Sequence, residues 1–344
     1  MRSAATQRLE DASGGVFVHG WPSRVVITAC AGAMEGAPDR APGLPVPAMA
    51  AVRPASGQVD GAGGGERAAL YERAPGAAAL LAAMDRAVAS PDLGRLPEPR
   101  ARAIVLGTQF AALNEVIRFI SETQRVGAHL VNPGLFPFTV MNAAAGLLAI
   151  EHRCEGANVT LNNGPGSVLD ALSCAADLVS GGRASIAFAG GFETLAAEVN
   201  LAVGRPGPPV VLAGVVAVTT LDHARRTGAR PCAELLAFSS GALPELPPAA
   251  ARRRLLAAAV EHARAFPPAA GGAGGAGAGG RDAAAVSLAH RADQTLLALL
   301  GAVQRAAAAP AGSRFALLAG AAEEPAGAAL VLAAGPPGRA VSGR

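Results

Sequence analysis

Residues 162–193 open on Asn162-Asn163-Gly164-Pro165-Gly166-Ser167 and close on Ala189-Gly190-Gly191-Phe192-Glu193. Gly-Pro-Gly marks a helix start, because proline suits the first turn, where no backbone N–H is needed. The run Gly166–Ser180 then reads as a helix, and Ser185–Ala189 as a buried strand closed by the two glycines. Asn158–Asn162 is strand-like on the upstream side. Downstream lie a β-branched strand Val210–Thr220, a short charged helix Asp222–Thr227 and a further strand Cys232–Phe238. Apolar strands alternating with helices predict an α/β layered fold.

The pattern extends to both sides. Arg24–Ala31 is a short strand rich in β-branched residues, and Gly36–Gly65 is a Pro/Gly/Ala-rich surface excursion. Ala77–Ala89 has helical spacing, Arg102–Gly107 reads as a strand, and Gln109–Gln124 as a helix with Leu113, Val116, Ile117 and Ile120 on one face. Pro137 opens a helix from Phe138 to about His152, almost wholly apolar and so expected to be buried. Ala250–Ala265 is an Arg-rich amphipathic helix and Gly271–Gly280 a Gly/Ala linker. A strand at Val286–Ala289, a helix near Thr295–Ala309 and a strand at Ala328–Ala333 make a smaller second half.

With 344 residues, 51% hydrophobic and 16% charged, the chain describes a compact, buried fold rather than a disordered one. Aromatics make up 3%, so the core rests on Ala, Val and Leu. All 29 basic residues are arginine, and the net charge of +3 comes without a basic stripe interleaved with aromatics. Nucleic-acid binding is not expected. The apolar runs are too short to span a bilayer, Met1–Gly15 has no apolar signal core, and Cys30, Cys154, Cys174 and Cys232 lack metal-ligand spacing. These features predict reduced thiols in a cytoplasmic protein without membrane, metal or cofactor.

Several stretches resemble the β-ketoacyl-acyl carrier protein synthase family of the thiolase-like superfamily. Arg24-Val-Val-Ile-Thr28 resembles its opening strand, and Phe136-Pro-Phe-Thr-Val-Met-Asn142 with Ala143–Gly146 the helix before its nucleophile strand. Ser167–Glu193 matches the nucleophile helix and the "AGG-x-E" strand end without a gap. Val210–Phe238 is similar to the strand pair that crosses between halves, and Val286–Thr295 to "VSSTKSMTGH". The resemblance implies an αβαβα sandwich of two related halves, 24–221 and 222–338, the second shortened.

Ketosynthase chemistry needs a Cys nucleophile at a helix N-terminus, where dipole and free N–H groups stabilise thiolate and oxyanion, with two His and a Lys. By this resemblance the Cys position falls on Pro165, or on Gly164 or Gly166 with a slip of one residue, the Lys position on His290 and the second His position on Thr295. Gly271–Gly280 stands where "HGTGT" would carry the first His, and Ala319–Gly327 where "NSFGFGGTN" would gate the pocket. The implied role is a non-catalytic, chain-length-factor-like partner. It would form a heterodimer with an active ketosynthase and, through it, meet an acyl carrier protein. Phe136, Phe138, Met141, Asn142, Gly164, Gly166 and Ser167 are the implied channel and interface residues.

Other readings stay open. Ser167 or Cys174 could serve a residual acyltransferase or thioesterase, given a base such as His290 or His152 within reach. Ser167 reads first as a satisfied helix-start hydroxyl, Cys174 as a small packed hydrophobe, and His290 as a solvent-facing strand end. Asp170 and Asp177, seven apart, read as facing solvent or an interface. A purely structural or decaying subunit is the remaining alternative.

Overall fold

The computed structural model describes residues 7–11, 14–35, 50–51, 69–70, 73–110, 112–202, 207–264, 285–289, 292–311, 313–320, 324 and 326–334. Its strands are β1 (Gln7–Asp11), β2 (Gly14–His19), β3 (Val25–Glu35), β4 (Ala50–Ala51), β5 (Arg102–Gly107), β6 (Asn158–Leu161), β7 (Ile186–Leu195), β8 (Val210–Thr220), β9 (Ala233–Ala242), β10 (Ala285–Ala289), β11 (Arg314–Ala319) and β12 (Ala326–Ala334). Its α-helices are α1 (Pro75–Val88), α2 (Leu113–Val126), α3 (Ala143–Glu151), α4 (Ser167–Ser180), α5 (Ala197–Ala202), α6 (Leu221–Thr227), α7 (Pro248–Arg264) and α8 (Ala292–Ala308).

The main sheet runs β10-β11-β12-β9-β3-β8-β7-β5-β6. In the N-terminal part, β6, β5 and β7 are parallel, while β8 and β3 follow antiparallel. The C-terminal part repeats the scheme with one strand fewer among the described residues: β10 and β11 are parallel, and β12 and β9 follow antiparallel. The parts join where Val25, Val26 and Ile27 of β3 pair with Leu235, Glu234 and Ala233 of β9. There the Arg24 guanidinium makes a two-pronged contact with the buried Glu234 carboxylate at 2.7 and 2.9 Å.

Helices α4 and α8 form the middle layer. One apolar core joins Leu169, Leu172 and Leu178 of α4 and Leu296, Leu300 and Val303 of α8 to inward residues of both sheet parts, among them Val105, Val216, Leu235 and Leu330. A helix enclosed between two sheet faces must be apolar all round. Ten of the fourteen residues of α4 are buried. Helices α1 and α3 cover the outer face of the N-terminal part, where Leu80, Met84 and Leu148 meet Ile104 and Phe188. Helix α7 covers the C-terminal part through Ala259 and Ala263 against Leu236 and Val331. The result is the αβαβα sandwich.

Most expected elements form within a few residues of their predicted limits. Three expectations need correction. β7 does not stop at Gly190-Gly191 but runs on to Leu195. The glycines serve a close crossing instead: a Cβ on Gly190 would lie 2.0 Å from the Gly214 carbonyl oxygen, and one on Gly191 2.2 Å from that of Gly107. Second, Phe138–His152 is not one buried helix. Pro133–Thr139 forms a 3-10 turn, and α3 leaves it after a 99° bend. Phe136, Val140, Met141 and Ile150 are exposed. Third, the hairpin β1–β2 and strand β11 were not expected. The linker Gly271–Gly280 and most of Gly36–Gly65 lie outside the described residues, apart from β4, which pairs with β3. Among the described residues no single helix is long and apolar enough to cross a membrane.

Candidate active site

The central turn is Gly164–Gly166, a 3-10 helix feeding directly into α4. Gly164 has φ +72°, a left-handed conformation that favours glycine. Pro165 and Gly166 are buried. Ser167 is fully buried and satisfied: its Oγ donates to the Gly164 carbonyl at 2.6 Å and accepts from the Asn163 N–H at 2.8 Å. It is a turn-locking hydroxyl, as expected.

Thr295 comes to this turn from the start of α8. Its Oγ1 donates to the Pro165 carbonyl oxygen at 2.8 Å, and the side chain is 2% exposed. Two positions 130 residues apart, both singled out by the sequence resemblance, thus meet in direct contact. Pro165 brings neither a nucleophile nor a base, and the Thr295 hydroxyl is engaged as a donor. His290 lies outside the described residues.

A cleft of about 220 Å³ opens beside the turn, lined by Asn163, Pro165, Gly166, Asp170, Glu324 and Gly327 among others. Asp170 does not simply face solvent. Burial raises its pKa above the ordinary carboxyl range, partly offset by a 3.2 Å hydrogen bond from Asn163 Nδ2. Asp177 points elsewhere and accepts from Trp21 Nε1 at 2.9 Å. Asp170 and Glu324 were not singled out as cleft residues by the sequence, since their shared setting depends on β12 lying against the turn.

The remaining expected residues separate into two groups. Phe138 lines a narrow crevice with Glu115, Val140 and Phe192, between α1, α2, α3 and β7. Burial raises the pKa of the Glu115 carboxyl there. Phe136 and Met141 are exposed at 60% and 39%, and Phe136 meets the Phe119 ring edge-on at 5.8 Å. Asn142, at the N-cap of α3, is also exposed and makes no capping bond. None of these residues lines the larger cleft.

Among the described residues, neither Ser173 nor Cys174 has a nucleophile's machinery around it. Burial pushes the Cys174 thiol up, opposite to what thiolate chemistry needs. Ser173 Oγ lies 3.0 Å from His19 Nε2, and Asp177 Oδ1 lies 3.6 Å from that same nitrogen. A relay requires the carboxylate on the other ring nitrogen, so this set is not a Ser-His-Asp triad. His152 faces Asp85 at 3.4 Å, on the outer layer. Among the described residues no group of three or more His, Cys, Asp or Glu is placed to hold a metal.

A two-part sheet wrapped around two central helices, the first of them opened by a tight turn, is the thiolase-like fold of the β-ketoacyl synthases. Solved members superpose over nearly the whole chain. The ishigamide ketosynthase/chain length factor matches with a TM-score of 0.66 and 19% identity, covering 91% of this chain and 99% of its own. A type II polyketide synthase ketosynthase, solved with its acyl-carrier protein and bound to the hexaketide, gives 0.63 and 13%, covering 91% and 100%. A β-ketoacyl synthase from Burkholderia phymatum STM815 gives 0.60 and 14%, covering 91% and 99%. In sequence, 3-oxoacyl-[acyl-carrier-protein] synthase 2 of Rhizobium meliloti (strain 1021) is 25% identical over 46% of this chain. The match spans 44% of that synthase, under half its length. No family profile matches the sequence.

Proposed function

We propose that the chain is a non-catalytic, chain-length-factor-like partner of an active ketosynthase in polyketide or fatty-acid synthesis. Pro165 carries the proposal. At the nucleophile position it offers no thiol, and it has no backbone N–H to donate to an oxyanion. The Thr295 hydroxyl, donating to the Pro165 carbonyl, supports the same reading, because it fastens the turn where a second His would act.

The C-terminal part supports it further. β10 directly precedes α8 just as β6 precedes α4, yet β10 pairs with β11 whereas β5 separates β6 from β7. We read this as β10 holding, beside β11, the slot that β5 holds beside β7. On this reading the halves are 24–221 and 222–338, the second shortened. The acidic cleft of Asp170 and Glu324 is also a poor host for an anionic extender unit.

The partner surface is assigned to the exposed apolar residues Phe136, Val140 and Met141, on the side of the N-terminal part where β6 ends the sheet. Unpaired strand edges and exposed apolar patches are features that association covers. The active partner would supply the acyl carrier protein contact, and the complex would work in the cytoplasm. Co-expression with an intact ketosynthase of the same genome tests this. Co-elution as a one-to-one complex by light scattering is expected. A well-behaved monomer that ignores every such ketosynthase would overturn the proposal.

A further inference from the structure

The hairpin β1–β2 lies outside the repeated strand scheme. β2 pairs antiparallel with the far end of β9, through Val16–Gly241 to His19–Phe238. Val16 and Val18 pack on Leu243, Ala251 and Leu255, so an apolar seam holds this strand to α7. Its last residue, His19, reaches the middle of α4. There Nε2 lies 3.0 Å from Ser173 Oγ and 3.6 Å from Asp177 Oδ1. The imidazole stands edge-on to Trp21 at 5.4 Å and to Phe238 at 5.5 Å. Trp21, 8% exposed, donates its indole N–H to the same Asp177 at 2.9 Å.

A second imidazole approaches from α7. His262 Nε2 packs against Gly20, 3.0 Å from where a Cβ would stand, and its charge would repel that of His19. Among the described residues, the charged and titratable groups around His19 are therefore Asp177 from α4, which favours the imidazolium, and His262 from α7, which opposes it. β9 contributes the Phe238 ring, and the register of β1 ends at Gln7 opposite Val18, short of His19.

We propose that His19 and His262 form a proton-operated latch, which fastens the N-terminal hairpin to helix α4 while both imidazoles are neutral and releases it on acidification. Burial is the main cause holding both imidazoles below their ordinary pKa, outweighing Asp177 at His19. The released hairpin, with its histidines in water, then binds protons more readily than the latched one. Latching is thus independent of pH well above the ordinary histidine value of 6.5. It weakens as pH falls through that value and is weakest once both rings are charged. The 3-10 turn that holds Pro165 feeds directly into α4, so the latch bears on the element that positions the candidate site. The proposal does not depend on a ketosynthase partner.

Trp21 is the chain's one tryptophan and reports directly. Its fluorescence should change in one step between about pH 8 and about pH 5, with a midpoint below the ordinary histidine value. Hydrogen exchange at the amides of residues 14–19, corrected for its intrinsic pH dependence, should accelerate about tenfold over that step. His19→Asn should abolish both changes, His262→Gln should move the midpoint down, because one proton fewer drives release, and Asp177→Asn should move it up, because the carboxylate that favours the latched imidazolium is gone. Signals that stay flat, or a step that persists unmoved in His262→Gln, would overturn the latch. Should His19→Asn fail to fold, the direction of the His262→Gln shift decides alone.

Discussion

Glu193 shows how one buried charge can organise a site without touching substrate. It is 1% exposed on β7, and its two carboxylate oxygens accept the backbone N–H groups of Gln109 and Phe110 at 2.5 and 3.1 Å. Those donors begin the loop leaving β5, so the carboxylate fixes the loop's path. In Glu193→Gln one of the two N–H groups faces an amide donor. A loss of about 2 kcal/mol is expected, read by urea denaturation, and a loss under about 0.5 kcal/mol would contradict this role. The sequence revealed Glu193 only as a motif position, because its partners stand 84 and 83 residues away. Pro165 was legible, since what proline lacks is a property of the residue itself. The Thr295–Pro165 bond and the His19–Ser173 contact were not, because both join residues far apart in the chain.

Among elements, the bent segment from Pro133 to Glu151 is the most instructive. Its composition predicts burial, and its core-facing residues Ala144, Ala145 and Leu148 are buried. The 99° bend turns Phe136, Val140 and Met141 outward instead. An apolar run says that a surface will be covered, but not whether its own chain covers it. Val140→Asp and Met141→Asp should therefore leave the isolated fold within about 0.5 kcal/mol of wild type. Both should cut ketosynthase co-purification at least about tenfold, because each buries a charge in the proposed interface. Retained co-purification with either variant would remove this segment from the interface. The missed β11 has a related cause: Arg314-Phe-Ala-Leu-Leu-Ala319 carries no alternation, and only its pairing with β10 and β12 makes it a strand.

For the molecule as a whole, the layer order was legible from strand–helix alternation, and the fold from the order and spacing of its motifs. The sheet's asymmetry was not, because the slot that β10 occupies depends on pairing with β11. The two parts share one core around α4 and α8, which under the proposed function keeps the architecture while the groups that do chemistry are replaced. The central claim is that this chain catalyses no condensation. It is tested most directly by incubating wild type and Pro165→Cys, each alone, with acyl- and malonyl-carrier protein and weighing protein and products. Wild type should stay unacylated. The variant regains a thiol at a helix start and should be alkylated by iodoacetamide, yet neither protein should form a carbon–carbon bond, because catalytic groups acting as a unit do not contribute additively. A condensed product from the wild-type chain alone would contradict the account.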